Sequence, residues 1–145
     1  MKVVIFCHSL RSDWNHGNAH FLRGICRELQ GRGCELAVHE PRAGWSAAHL
    51  REQGGAAALA AWQEAYPELA STCYDDPATV PLDPLLADAD VVLVHEWTDP
   101  VLVARIGRHR ARHPHYRLFF HDTHHRSLSA PAEIDALELE HYDGV

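Results

Sequence analysis

Short β-rich apolar runs alternate with longer stretches of helical periodicity, and this alternation constrains the fold more than any single motif does. Lys2 to His8 (KVVIFCH) is an apolar run of the kind found in a strand buried on both faces. Phe21, Leu22, Ile25, Cys26 and Leu29 then recur at helical spacing, and Gly31 and Gly33 supply a stop. Cys34 to His39 (CELAVH) reads as a second strand. Ala47 to Ala70 reads as an alanine-rich helix broken near Gly54-Gly55 and again near Pro67. Ser71 to Tyr74 is predicted as a short edge strand, and Asp90 to Trp97 (DVVLVHEW) is the clearest strand of all. Asp99 and Pro100 open a helix that Pro114 closes. Tyr116 to His121 (YRLFFH) predicts a last strand, and Pro131 to Tyr142 a last helix with an acidic outer face. Strand and helix alternating in this way imply an α/β fold, a three-layer, doubly wound, Rossmann-like parallel sheet. Strand one is expected at its centre with the Val91 strand beside it, in one domain spanning residues 1–145.

Composition narrows the function. The 145 residues are 46% hydrophobic and 23% charged, ordinary globular proportions that argue against disorder. Asp and Glu outnumber Lys and Arg by 20 to 13, for a formal net charge of −7. That balance opposes a nucleic-acid binder or a partner of anionic membranes. Lys2 is the only lysine, yet there are 13 histidines, so the charge swings from −7 to about +6 if all of them protonate. No run approaches the about 20 apolar residues of a membrane span, and Val3 to Cys7 is too short for a signal-peptide core. Cys7, Cys26, Cys34 and Cys73 form no CxxC pair. They read as buried hydrophobes in a reducing compartment, which predicts a cytoplasmic protein without a disulfide or cysteine–zinc framework.

Ligands of open parallel sheets bind beyond the carboxyl ends of the strands, where strand order reverses. Three strands are expected to deliver a histidine to that edge: His8, His95 followed by Glu96, and His121 followed by Asp122, His124 and His125. The loop Ser9 to His20 (SLRSDWNHGNAH) is long for a strand-to-helix connection. Its Gly17 permits close backbone approach, the amides of Asn18 and Ala19 offer an anion or hydroxyl site, and Trp14 offers an apolar plate for a sugar ring. The loop contains neither GxGxxG nor GxxxxGK[ST], which excludes the dinucleotide fingerprint and the P-loop. A phosphoacceptor receiver also falls, because His8 follows strand one and no lysine lies beyond Lys2. Arg105, Arg108 and Arg112 share a helical face within the one basic stretch, which reads as a solvated surface and not as a nucleic-acid site.

The segments KVVIFCHSL, WNHGNAHFLRGICRELQGRG, DVVLVHEWTDP and above all FFHDTHHR resemble the first half of a bacterial glycosyltransferase of GT-B fold, nearest to the CgeB-like group. The resemblance covers Lys2 through Val145. It implies one half of a two-lobed architecture, an acceptor-binding N-terminal domain that works opposite a nucleotide-sugar domain. His121 matches the family histidine that points at the reaction centre, and Gly17, with Asn18, Ala19 and His20, matches the loop that approaches the donor. One glycine stands there in place of the family's pair. On this expectation His121, Asp122 and Glu96 are catalytic, while His8, Trp14, Asn15, His95, His124, His125 and Arg126 hold the acceptor. The nucleotide-sugar is a co-substrate, with no tightly bound cofactor and no resident metal. The transfer itself needs an aligned acceptor hydroxyl and a group that manages its proton, and histidine suits that role near neutral pH.

Two other readings use the same residues. His8, His95, Glu96, His121, Asp122, His124 and His125 contain the donors of a metal-dependent hydrolase, although without HExxH spacing. A non-catalytic sugar- or partner-binding module is the other. The last residues, Tyr142-Asp143-Gly144-Val145, form a turn signal followed by one apolar residue, which predicts that the sequence continues naturally into a further strand.

Overall fold

The computed structural model describes residues 1–11, 17–122 and 126–145. Five strands alternate with helices: β1 (Lys2–Phe6), α1 (Gly17–Gly31), β2 (Glu35–Pro41), α2 (Trp45–Ala65), β3 (Thr72–Tyr74), α3 (Leu82–Leu86), β4 (Val91–His95), α4 (Pro100–Arg112) and β5 (Arg117–His121). Two short helices follow, α5 (Arg126–Ser129) and α6 (Pro131–Asp135). All strand pairs are parallel, in the order β3-β2-β1-β4-β5. The expected centre, neighbour and edge are therefore found: β1 is central, β4 lies beside it and β3 closes one side.

Alternation along β1 builds the layers. Val4 and Phe6 join a core with Val92 and Val94 of β4, Leu118 and Phe120 of β5, and Leu102, Val103 and Ile106 of α4. Val3, Ile5 and Cys7 face the other way, against Leu22 and Cys26 of α1, Trp62 of α2 and Leu69. Successive strand residues point to opposite faces, so a strand apolar at every position must be covered on both. Each fully buried aliphatic side chain adds about 1.5–3 kcal/mol to the drive for this arrangement. The result is the three-layer, Rossmann-like sheet. Among the described residues no helix is long and apolar enough to cross a membrane.

Local signals act as expected in several places. The Asp99 carboxylate caps α4 by accepting from the Val101 amide at 2.9 Å, with Pro100 in the first turn. Gly55 adopts φ 58° and kinks α2 where the Gly54-Gly55 break was predicted. Of the four cysteines, Cys7 and Cys26 are buried as predicted, but Cys34 and Cys73 are only partly so.

Three features depart from the sequence reading. Helix α3 was not anticipated, because five residues carry too little periodicity. The helix expected through Tyr142 ends at Asp135. Beyond it the chain turns over α4 and comes alongside β5: the Tyr142 hydroxyl donates to the Val103 carbonyl (2.9 Å), the Leu118 amide donates to Asp143 (2.8 Å), and Gly144 forms a parallel bridge with Phe119. These long-range contacts replace the helical bonds the local sequence would have made. The α4 arginines are a solvated face only in part: Arg108 and Arg112 are exposed as expected, but Arg105 is partly buried and several of them are engaged by neighbouring groups. Arg105 donates to the Pro77 and Val80 carbonyls, Arg108 pairs with Glu138 through both carboxylate oxygens, and Arg110 meets Asp143 together with Arg117 of β5.

Candidate functional site

Helix α1 packs on one face of the sheet and α4 on the other, so the chain leaves the carboxyl ends of β1 and β4 in opposite directions. That divergence opens the sheet edge at the point where such folds bind ligands. The predicted histidines meet there. The His8 and His95 rings lie 5.0 Å apart between centroids, and His95 meets His121 edge to face at 5.4 Å. His95 and His121 are register partners in the β4–β5 ladder, so backbone pairing alone sets them side by side. Phe21 of α1 stacks on His121 at 5.1 Å.

The rings differ in access. His95 and Glu96 are buried, 1% and 2% exposed, whereas His8, His121 and Asp122 are half-exposed. His8 and His121 are therefore the rings that solvent reaches, with His95 and Glu96 buried behind them. The segment after β4 is pinned by three bonds: the Glu96 amide donates to the His121 carbonyl (3.1 Å), the Thr98 hydroxyl to the Phe6 carbonyl (3.3 Å), and the Trp97 amide to Nδ1 of His95 (3.4 Å). Burial lowers the His121 pKa below the ordinary imidazole value, against the opposing charges of Glu96 and Asp122. The ring is thus neutral at pH 7 and able to accept a proton.

A cleft of about 600 Å³ opens beside His8. Asn18, Trp45, Tyr74, Trp97 and Asp99 also line it. The two indoles are largely exposed, 65% for Trp45 and 46% for Trp97, and each presents an apolar plate at the cleft wall. Tyr74 remains a protonated donor, since burial and the neighbouring negative groups raise its pKa. Gly44 permits the tight junction from β2 to α2: a Cβ there would stand 2.8 Å from the Pro41 ring and 3.5 Å from the His8 carbonyl. Below the first loop, Glu40 is 1% exposed and binds Arg11 and the Ser71 hydroxyl, tying the loop's start to β2 and to the approach to β3.

The first loop's remaining residues take different places. Gly17 is exposed at the start of α1, and a Cβ on it would meet nothing within 4 Å among the described residues. Asn18 reaches the cleft, the Ala19 methyl is buried in the core, and His20 is exposed. Trp14, Asn15, His124 and His125 lie outside the described residues, and Arg126 enters only through its backbone as the first residue of α5. Sequence reasoning missed Trp45, Tyr74 and Asp99 as cleft residues and used Trp97 only as a strand terminus. The same strand-end rule applied to β2 and β3 would have pointed to Trp45 and Tyr74. For the metal-hydrolase reading, the rim does not bring three ligand atoms within 4.8 Å of one another among the described residues.

Fold and site together define an open, all-parallel α/β domain with a ligand-sized cleft at its switch point. No family model, curated protein or solved structure matches the chain.

Proposed function

We propose that this chain is the sugar-acceptor-binding domain of a glycosyltransferase, working opposite a nucleotide-sugar-binding domain. The observation that carries the reading is the cleft lined by two exposed indoles and by His8, the first of three imidazoles that meet along the sheet's carboxyl edge. Indole faces stack on the C–H faces of sugars, while Asn18, Tyr74, Asp99 and His8 supply the few polar groups that fix hydroxyls. In this reading His121 takes the acceptor proton, with Asp122 and Glu96 as the carboxylates that orient it or share that role. The buried His95 packs against the rings of His8 and His121. The donor's leaving group is stabilised by the facing domain.

Saccharides titrated into the protein are expected to quench tryptophan fluorescence and to give saturation-transfer signals, both lost in Trp97→Ala. The absence of any response from a broad panel of saccharides would overturn the reading. Joined to a donor domain, the protein is expected to consume a nucleotide-sugar. Saccharide binding without any such consumption would instead identify a non-catalytic binding module.

A further inference from the structure

A second cluster lies at the last turn of α4, the end of that helix away from the rim. His109 and His113, four residues apart, stack with ring centroids 4.4 Å apart. Asp83 of α3 faces both: its Oδ1 is 3.2 Å from Nε2 of His109 and 3.9 Å from Nε2 of His113. One ligand atom from each of the three lies within 4.8 Å of the others. His109 is only 2% exposed, and its Nε2 completes no hydrogen bond among the described residues, although Asp83 is beside it. The Asp83 contact recovers only part of the hydration that this buried ring nitrogen gives up.

We propose that Asp83, His109 and His113 form a site for a divalent cation of the zinc class, which clamps α3 to the end of α4. Two imidazoles and one carboxylate form a donor set suited to such an ion. Ligands about 2.0–2.1 Å from a tetrahedral zinc stand about 3.3 Å from each other. The 3.2 Å contact already has that spacing, and the 3.9 Å contact closes with a small swing of Asp83, whose side chain is 82% exposed. The second shell is in place: Nδ1 of His109 lies 3.0 Å from the buried Tyr116 hydroxyl, whose oxygen would accept a hydrogen bond from Nδ1–H with Nε2 on the metal.

The surrounding charges permit it. Arg105 is engaged by the Pro77 and Val80 carbonyls, and Arg108 by Glu138. Arg112 opposes a cation, but it is exposed and screened by solvent.

Metal-free protein is to be titrated with Co²⁺ as the spectroscopic probe and with Zn²⁺ by calorimetry. One equivalent is expected to bind with a four-coordinate cobalt spectrum, and Zn²⁺ is expected to raise the unfolding temperature. Asp83→Asn and His113→Ala alter exposed side chains, and each is expected to weaken binding by more than the ten- to hundred-fold of a second-shell loss. Removal of the exposed His141, which lies outside the cluster, should change nothing. No stoichiometric binding in the parent protein, or binding retained in the Asp83→Asn/His113→Ala double variant, would overturn the site. Neither result bears on the saccharide cleft, whose readout is Trp97.

Discussion

His121 is the residue on which the catalytic reading turns. In a protein joined to its donor domain, His121→Ala is expected to lower turnover by about two to four orders of magnitude, the scale of a positioned proton-transfer group. Initial rates at saturating nucleotide-sugar check this. Histidines whose pKa burial lowers also contribute to the acid limit of stability. Burial lowers the pKa of both His39 and His121, so the unfolded chain binds protons more readily than the native one. Their stabilising effect is present above about pH 6.5 and is lost as pH falls through the native values. The urea midpoint should therefore drop between about pH 7.5 and about pH 5, and His39→Gln should reduce the drop. Glu40 is held between Arg11 and Ser71 in the interior. Glu40→Ala leaves both partners without their acceptor and is expected to cost about 2–4 kcal/mol in denaturant unfolding.

Elements show most clearly what the sequence encodes locally. Strands β1, β2, β4 and β5, the capped helix α4 and the kink in α2 were all legible, since each carries its own periodicity, cap or glycine signal. The C-terminal segment was not. Pro131 and an acidic pattern promise a helix through Tyr142, but Tyr142 and Asp143 make their bonds to α4 and β5, and no local pattern announces those. Gly107 records the same docking: a Cβ there would lie 3.3 Å from the Glu138 carbonyl oxygen and 3.3 Å from the Tyr142 ring. Gly107→Ala should destabilise the fold by about 1–3 kcal/mol through crowding. Gly24→Ala in α1, where a Cβ meets nothing within 4 Å, should stabilise by about 0.5–1 kcal/mol through helix propensity. Paired thermal melts test both signs at once.

At the scale of the whole molecule, the histidine excess gives a strongly pH-dependent surface. With a sequence pI near 6.0, solubility is expected to pass through a minimum about there and to recover on either side, as turbidity against pH would show. The rim was legible because topology converts strand ends into neighbours: three histidines far apart in sequence meet once the order β2-β1-β4-β5 is known. The cleft was less so, since Trp45 and Tyr74 declare themselves only when β2 and β3 take their places in the sheet. The register that sets His95 against His121 has a consequence for how such a site changes over time. Their proximity is inherited from main-chain pairing and owes little to attraction between the rings. Either position is therefore free to be re-lettered while the other keeps its post, and a lineage built on this scaffold can exchange its chemistry one substitution at a time without first dismantling the framework.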